Sequence, residues 1–347
     1  MTRSELSDVM RICAPPQRNV HLTIDPKHIA IGYNMSYEKK NRCNIINALT
    51  FDVEDWYQST VDINAPIRDV VLKQTEKVLE ILSEAKVHAT FFVLGLVAEK
   101  FSHLIERTAA EGHEIATHGY KHQLIFTQTP SEFASDLKRS IVLLEDITGR
   151  RVIGHRAPDF SITEKSLWAL DILCEQGIIY DSSIFPIKHR RYGINHCRRG
   201  IHYITSPAPE TRLLVGKGFE RENPRFSLQN GFLNTLIEFP LSTISLFGVN
   251  FPVCGGGYLR LMPYIATRAA IKKLSSEGMP TMIYMHPYEF DSQDLPTPIG
   301  NAKNLRLKFL RFNQNLNRNR SEMKLRKLLN DFKFVPIKDV LRCLRVN

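Results

Sequence analysis

Short apolar segments alternate with amphipathic helices along most of this chain, and this alternation limits the folds that it can adopt. Five apolar segments are expected to be strands, at residues 45–51, 88–94, 114–117, 152–154 and 178–180. Apolar residues recur at helical spacing between them, over residues 68–85, 97–111, 131–147 and 163–176. The alternation returns with a helix over 264–277 and a strand over 281–285. This order predicts βα units and a parallel sheet or barrel.

Polar side chains stand just after several of these strands, where barrel enzymes place their chemistry. The four groups are Asp52-Val53-Glu54-Asp55, His118 to His122, Arg156-Ala157-Pro158 and Tyr284-Met285-His286-Pro287. Taken singly, each has an ordinary structural explanation, such as a surface loop or a histidine that is satisfied at a strand end. Their shared position at strand ends is more specific than any one of them.

The first two groups have the residue types of a metal site. Three carboxylates in four residues repel one another, so a cation or a raised pKa usually compensates. Asp52 and Glu54 would point to the same side of a strand, because side chains alternate. His118 and His122 would share one face of a helical turn and could hold one metal ion. The metalloprotease pattern H-E-x-x-H does not apply, since Gly119 follows the first histidine.

The third and fourth groups supply a cation and a further histidine. Arg156 could orient a carboxylate through paired hydrogen bonds, and Pro158 stiffens the turn that follows. His286 is delivered by the late strand. Two histidines with one carboxylate form a common hydrolytic metal set that leaves coordination positions open for water.

The positive charge of the chain is concentrated at its C-terminal end. The net charge is +10, and residues 303–347 hold 13 Lys/Arg against 3 Asp/Glu, whereas residues 1–302 hold 33 of each sign. Such a segment either contacts an anionic surface, such as lipid headgroups, or forms a solvated helix face. A helix is expected at about 314–330 and a short strand near 334–336. Residues 1–302 carry no net positive charge, so no nucleic-acid partner is expected.

Composition shifts divide the chain into three parts. Residues 1–44 are polar and are expected to form a loosely ordered N-terminal extension. Residues 45–300 are expected to form the barrel, with residues 186–262 as an insertion of strands and loops. Residues 301–347 form the basic segment, whose helix would pack on the barrel.

The cysteines and the apolar segments indicate a cytoplasmic protein. Six cysteines lie far apart without CxxC spacing, so neither a disulfide framework nor a Cys-based zinc site is expected. The first 20 residues lack an apolar core of the kind a secretory signal has, and no stretch approaches 18 apolar residues. Peripheral binding at the inner membrane is the further expectation from the basic segment.

Over residues 46–290 the four groups, in this order, resemble carbohydrate esterase family 4, the NodB-like polysaccharide deacetylases. Thr50 to Asp55 is similar to its Asp-containing motif, His118 to His122 to its H-(S/T)-x-x-H motif, and Arg156 to Pro158 to its R-x-P motif. Tyr284 to His286 is similar to its L-x-H motif. The resemblance implies a distorted (β/α)7 barrel that uses a divalent metal to remove acetyl groups from N-acetylated sugars.

Two further segments resemble one branch of that family. Cys254 to Arg260 and the ending His286 to Asp291 look like the branch found beside exosortase-linked exopolysaccharide gene clusters. The resemblance therefore implies an N-acetylated polysaccharide substrate and a part in exopolysaccharide biosynthesis.

The same resemblance implies a role for each residue. The metal ligands would be Glu54, His118 and His122, with Asp55 as a substitute. Asp52 would be the base, Arg156 would keep it ionised and aimed, and His286 would be the acid. The residues expected to contact the substrate are Asp181, Tyr284, Pro158 and Phe160. One divalent ion is expected, zinc first, with Co²⁺, Ni²⁺ or Mn²⁺ as alternatives.

The chain departs from the family pattern at four of these places. It has D-V-E-D where adjacent aspartates are usual and Gly119 where Ser or Thr is usual. It also has Asp159 where an aromatic residue is frequent, with Phe160 one place later, and Tyr284 where Leu is usual. Two other classes of function therefore stay open. One is a related metal-dependent amidohydrolase acting on another C–N bond, in peptidoglycan or a small amide. The other is a non-catalytic module that binds glycan or membrane.

Overall fold

The structure is a computed structural model that describes residues 35–36, 45–189, 191–206, 234–253, 255–293, 295 and 305–346. Its strands are β1 (Met35–Ser36), β2 (Asn47–Val53), β3 (Thr90–Val93), β4 (Glu114–Thr117), β5 (Gly154–His155), β6 (Tyr180–Asp181), β7 (His202–Ser206), β8 (Asn234–Glu238), β9 (Thr243–Leu246), β10 (Val249–Pro252), β11 (Met282–Met285), β12 (Phe334–Val335) and β13 (Arg345–Val346). The predicted extension over residues 1–44 lies outside the described residues, apart from β1, which pairs with β13.

Most of these strands form one curled sheet with the order β11-β2-β3-β4-β5-β6-β8-β7, and β12 also pairs with β2. The neighbours are parallel except for the antiparallel pair β7 and β8. Ser242, which follows β8, accepts a hydrogen bond from the Met282 amide at 2.8 Å, so this segment approaches β11 from the other side. The expected α/β barrel of the NodB-like type is confirmed.

Helices cover the outside of the sheet. They are α1 (Trp56–Thr60), α2 (Val70–Ala85), α3 (Gly95–Lys100), α4 (Ser102–Ala110), α5 (Pro130–Thr148), α6 (Trp168–Glu175), α7 (Gly256–Leu261), α8 (Tyr264–Ser276), α9 (Leu305–Asn315), α10 (Ser321–Asp331) and α11 (Ile337–Cys343). Their apolar faces and the apolar strands form one large core, which fixes the strand ends in space. No described helix has the length and apolar character needed to cross a membrane.

Three predicted helices have different limits in the structure. The helix expected over 97–111 is divided at Phe101, whose φ of −127° and ψ of 51° are not helical. The helix expected from 163 begins at Trp168, because the Ser166 hydroxyl bonds to the Thr163 amide and the Ser161 carbonyl instead. The helix expected over 314–330 is also wrong, since Asn317 has a φ of 60° and separates α9 from α10.

The C-terminal segment contributes to the barrel itself. β12 pairs in parallel with the first residues of β2. Ile337, Val340 and Leu341 of α11 are buried in a second, smaller apolar cluster, which also contains Ala48 of β2 and Phe92 of β3. Within the expected insertion, β9 and β10 form a hairpin whose two-residue turn is Phe247-Gly248, both with positive φ. Arg190, residues 207–233 and Cys254 of that insertion lie outside the described residues.

Candidate metal centre and active site

Four side chains of the candidate site stand directly after strands of the parallel sheet. Glu54 follows β2, His118 follows β4, Arg156 follows β5 and His286 follows β11. The parallel register places these strand ends at one edge, since Phe51 of β2 lies opposite both Phe91 of β3 and Met285 of β11. The regular backbone of the sheet thus brings four distant parts of the sequence to one mouth.

Glu54, His118 and His122 form the one cluster of possible metal ligands found among the described residues. Their ligand atoms all lie within 4.8 Å of one another. Glu54 Oε2 is 2.6 Å from His122 Nε2 and 3.6 Å from His118 Nε2. All three side chains are buried, so a cation held here would be surrounded by protein on most sides.

The two histidines converge through a bend, so the expected helical turn is wrong. Gly119 has a φ of 78° and His122 a φ of 61°, and residues 118–122 contain no helix. A positive φ is costly for a histidine and occurs where surrounding structure imposes it. Asp136 on α5 supports the bend, because its carboxylate accepts the Tyr120 amide at 2.7 Å. A side chain at position 119 would have its Cβ 3.2 Å from that carboxylate, which favours glycine there.

The hydrogen bonds of the cluster fit a metal ion. His118 Nδ1 is 2.8 Å from the Arg156 carbonyl oxygen, which can only accept, so Nε2 of the neutral ring faces Glu54 as a lone pair. Glu54 Oε2 lies 2.6 Å from His122 Nε2, yet it has no hydrogen-bond partner of acceptable geometry, and neither has the buried His122 Nδ1. Burial alone would raise the pKa of Glu54, but the neighbouring histidines, above all the charge of His122, hold it well below its usual range. An ionised carboxylate beside two imidazole nitrogens is a suitable donor set for a divalent cation.

Asp55 is directed away from this cluster. Its carboxylate accepts the Tyr57 amide at 2.9 Å as the N-cap of α1. It also accepts the Arg68 amide and the Arg68 Nε, each at 2.8 Å. These bonds fully bury the Asp55 side chain, so its geometry does not favour the expected substitution for Glu54.

Asp52 lies next to the cluster and is held by a buried arginine. Arg156 Nη1 donates to Asp52 Oδ1 at 2.6 Å and to Thr50 Oγ1 at 2.9 Å. Its other nitrogens bond to Ser182 at 3.0 and 3.1 Å, and its guanidinium lies 4.0 Å from the centre of the Phe92 ring. One Asp52 oxygen is thereby fixed, while Oδ2 faces His286.

His286 closes the opposite side of the site. Its Nε2 is 3.9 Å from Asp52 Oδ2 and 3.8 Å from Glu54 Oε1, while its Nδ1 is 3.8 Å from Glu289 Oε1. The ring stacks on Tyr288 with centroids 4.9 Å apart. Burial lowers the pKa of His286, but Glu289 and the nearby Glu54 and Asp52 outweigh it and raise the pKa to about 9. His286 therefore carries a proton at neutral pH.

Aromatic rings form a wall beside His286. The Tyr284 and Phe160 ring centroids are 5.0 Å apart, and Phe160 also packs edge-to-face on Phe185 and Tyr192. Pro158 is buried at the start of the turn that carries Phe160. Gly255 lies so close to Tyr284 that a Cβ there would be 1.8 Å from the ring. The Gly-rich segment thus leaves room for the larger aromatic residue.

Asp181 does not line the mouth, which disfavours the expected contact with substrate. Its side chain is completely buried, and its Oδ1 is 2.7 Å from both His155 Nδ1 and Ser183 Oγ. Glu238 lies beside it and accepts the Ile184 amide at 3.0 Å. This network joins the ends of β5, β6 and β8 and thus supports the loops that follow them.

Several residues that shape the site were given no role in the sequence analysis. Thr50 and Ser182 complete the shell around Arg156, and Glu289 and Arg260 lie behind His286. Thr50 precedes Asp52 by two positions on one strand, so side-chain alternation could have identified it. Arg260 and Ser182 become neighbours of the site only through tertiary contacts, which no local pattern reports.

The fold is an α/β barrel of the NodB-like type, and its strand ends carry one carboxylate and two histidines that could hold a metal ion. Residues 39–173 match the family model described as polysaccharide deacetylase. Residues 182–342 match a domain of unknown function, DUF3473. The region that matches the polysaccharide deacetylase model contains the candidate metal ligands Glu54, His118 and His122, and the DUF3473 region contains His286.

Individual relatives agree with this class. The chain is 35% identical over 101 residues to the peptidoglycan-N-acetylglucosamine deacetylase of Bacillus cereus, covering 29% of this chain and 37% of that protein. The chain thus spans little more than a third of that curated relative. A structure assigned as a polysaccharide deacetylase from Mycobacterium smegmatis has a TM-score of 0.53 at 19% identity, covering 85% and 87% of the two chains. The structure of Puue allantoinase has a TM-score of 0.50 at 14% identity, covering 95% and 97%.

Proposed function

We propose that this protein is a metal-dependent hydrolase that removes acetyl groups from the N-acetylated sugars of a polysaccharide. The observation that carries the proposal is the arrangement of three groups at one mouth: the Glu54–His118–His122 cluster, the Asp52–Arg156 pair and His286. The match of residues 39–173 to polysaccharide deacetylases supports the same reaction.

Amide hydrolysis needs an activated water, a polarised carbonyl and a protonated leaving nitrogen. Glu54, His118 and His122 would hold the divalent ion, with zinc as the first choice for two imidazoles and a carboxylate. When bound, such an ion lowers the pKa of a water ligand and polarises a carbonyl oxygen. The proposed ligands are buried beside the strand ends, so an ion that they hold would lie at the mouth, where the acetamido group would enter.

Asp52 is the proposed general base and His286 the proposed general acid. The bond from Arg156 to Asp52 Oδ1 leaves Oδ2 to receive the proton of the attacking water. His286 Nε2 lies 3.9 Å from Oδ2, across the space where the scissile bond would sit. A protonated ring there can give its proton to the departing sugar amine.

The aromatic wall gives the acetyl methyl group an apolar surface. Tyr284 and Phe160 meet edge-to-face beside His286, and both are largely buried. We propose that this wall contacts the acetyl group, while Pro158 stiffens the turn that carries Phe160. Asp181 then has a supporting role through His155, because its carboxylate is completely buried.

A cavity beside the mouth could receive neighbouring sugars of the polymer. It has a volume of about 830 Å³ and lies on the loops that follow β4, β5 and β6. The His189 and Tyr192 rings stack 3.9 Å apart there, and Phe126 is 37% exposed at the cavity wall. Flat rings with nearby polar groups suit the apolar faces and hydroxyls of a saccharide.

Acetate release from a panel of N-acetylated saccharides, with and without a chelator, tests this function. We expect release from at least one soluble saccharide, its loss on chelation and its return with zinc. Release only from murein fragments would move the substrate to peptidoglycan. Activity confined to a small amide would favour the rival amidohydrolase. The allantoinase structure has a fold similar to that of this chain. Glycan binding without turnover would favour the non-catalytic module.

We further propose that α9 brings the protein to an anionic membrane surface, in the setting of exopolysaccharide assembly at the cytoplasmic face. Leu305, Phe309, Phe312 and Leu316 recur on one face of this helix and are 79%, 66%, 65% and 40% exposed. Other positions of α9 hold it to the body of the protein, because Arg311 Nε donates to the Leu295 carbonyl and Asn315 Oδ1 accepts the Leu295 amide.

The charge around α9 supports this proposal. Residues 303–320 contain six Lys/Arg and no Asp/Glu, and Lys308 is exposed beside the apolar stripe. A basic helix with an exposed apolar stripe suits the headgroup region of an anionic bilayer. Leu295 lies in the loop that follows His286 and packs with Trp56 and Tyr288, so docking would bring the mouth near the lipid surface.

A further inference from the structure

A buried ion pair lies behind His286, on the side away from the candidate metal ligands. Arg260 Nη1 donates to Glu289 Oε1 at 2.5 Å, and both side chains are only 2% exposed. The same Glu289 oxygen is 3.8 Å from His286 Nδ1. The second Glu289 oxygen accepts the His286 backbone amide at 3.3 Å. Glu289 thus hydrogen-bonds to the main chain of His286 and lies within ion-pair distance of its ring.

The partners of this ion pair are fixed by the C-terminal segment. Arg260 Nε donates to the Leu316 carbonyl at 3.0 Å, and its Nη2 donates to the Asn313 carbonyl at 3.1 Å. Buried Lys324 donates to the carbonyls of Leu259, Arg260 and Met262 at 2.7 to 2.9 Å. These bonds hold the guanidinium of Arg260 in one orientation and leave Nη1 directed at Glu289.

The loop that carries Glu289 is held by the same segment. Arg318 donates to the Tyr288 carbonyl and, at 2.8 Å, to the Gln293 carbonyl. A buried carboxylate without a counter-charge would be costly, and it would take up a proton or turn towards solvent. Burial raises the pKa of Glu289, but Arg260 and His286 outweigh it and lower the pKa below its usual value. Glu289 therefore stays an ionised acceptor.

We propose that Glu289 and Arg260 are positioning residues for His286, which keep a carboxylate beside its Nδ1 so that Nε2 faces the leaving nitrogen. This inference rests on the proposed deacetylation, in which His286 gives a proton to the sugar amine. Arg260 acts on His286 only through Glu289, because its charge and its fixed orientation keep the Glu289 carboxylate beside the imidazole ring. The basic segment then has a catalytic consequence as well as any role at a membrane.

A leaving-group comparison tests the inference with the zinc-loaded full chain. An N-acetylated chitooligosaccharide releases an amine that needs a proton, whereas 4-nitrophenyl acetate releases a phenolate that does not. We expect Glu289→Gln to lower kcat for the amide by about 10–100-fold, part of what a general acid contributes. KM and zinc content should be unchanged, and the aryl ester should lose less than about threefold, since its leaving group needs no acid. Equal losses on both substrates, or no loss on the amide, would overturn the inference.

Two controls separate positioning from folding. Glu114→Gln is the matched control, because Glu114 is also a buried glutamate but lies at the opposite end of the sheet. In the His286→Ala background, adding Glu289→Gln should cost nothing further, whereas an undiminished second loss would contradict action through His286. If Glu289→Gln does not fold, nitrogen NMR of His286 in the wild type still decides, since a ring without a proton on Nδ1 would overturn the inference. A wild type inactive on both substrates would instead refute the proposed function.

Discussion

His118 Nδ1 lies 2.8 Å from the backbone carbonyl of Arg156, so the arginine that holds Asp52 also orients a candidate metal ligand. The side chain of Arg156 reaches the carboxylate, while its main chain fixes the tautomer of the imidazole. The proposed base and one candidate metal ligand are therefore oriented by a single residue, which directly follows β5.

Removing a candidate ligand should remove the metal. We expect wild-type protein to bind one divalent ion. His118→Ala should lower zinc affinity by more than the roughly 10–100-fold that is typical when a residue hydrogen-bonded to a metal ligand is removed. Metal analysis of purified proteins and competition with a chromophoric chelator measure this. His113→Ala is the control, since His113 is buried at the other end of β4. Full zinc binding by His118→Ala would refute the assignment.

Asp52→Asn should keep the metal and lose most turnover. An amide cannot accept the proton of water, and general base catalysis contributes about 10²–10⁴-fold. Parallel measurement of zinc content and of acetate release from one active saccharide checks the prediction. Loss of metal in Asp52→Asn, with metal retained in Glu54→Gln, would mean that the two carboxylates have exchanged roles.

Stability should fall as pH rises because of Glu238. Burial, followed by the charge of Asp181, raises the pKa of Glu238 well above the usual value of 4.5. A group whose pKa is raised in the folded state stabilises the fold fully at pH values below its unfolded-state pKa. This contribution is lost as the pH rises through the folded-state pKa. Urea unfolding at a series of pH values from about 5 to about 9 measures the effect. Over this range the free energy of unfolding of Glu238→Gln should fall less than that of wild type. The control is Glu322→Gln, which removes a carboxylate from surface ion pairs and should show the same dependence of stability on pH as wild type. The same dependence in Glu238→Gln would contradict the prediction.

Membrane binding should depend on the apolar stripe of α9. We expect Phe309→Ser with Phe312→Ser to lower binding to anionic vesicles at least about 10-fold, because each buried phenylalanine contributes about 1.5–3 kcal/mol. Neutralising exposed Lys308 should lower it further, at about 1 kcal/mol for each basic residue. Sedimentation with anionic and neutral vesicles at low and high salt measures both effects.

The matched control for that experiment is Phe247→Ser, since Phe247 is fully exposed on the β9–β10 turn. Arg318 and Lys324 are unsuitable for neutralisation, because both are buried in bonds to backbone carbonyls. Binding that ignores lipid charge, or that survives the double substitution unchanged, would leave α9 with a structural role.

The sequence predicted the sheet well because its strands are locally apolar and end at polar residues. That same regularity brought Glu54, His118 and His286 together, although their chemical roles stay predictions. The details that the sequence did not predict depend on partners from elsewhere. Arg68 diverts Asp55, and His155 buries Asp181, so neither carboxylate is available as a local pattern suggested.

Backbone conformation and long-range contacts explain the remaining differences. The spacing of His118 and His122 favours a helical turn, but positive φ at Gly119 and His122 produces the approach through a bend. Arg260 and Glu289 are 29 positions apart, and only the folded chain makes them partners. The division of the chain into extension, barrel and basic segment stays a prediction, although β12 joins the C-terminal segment to the barrel sheet.

The packing of Gly255 against Tyr284 constrains how this chain can have evolved. A Cβ at position 255 would lie 1.8 Å from the Tyr284 ring, so no other residue fits while the tyrosine is present. A lineage must therefore have acquired the glycine before, or together with, the aromatic residue. Descendants that lose the glycine first would be selected against, whereas those that first replace Tyr284 with a smaller residue regain freedom at position 255. The two positions should consequently covary among related sequences, with the glycine retained wherever the tyrosine is.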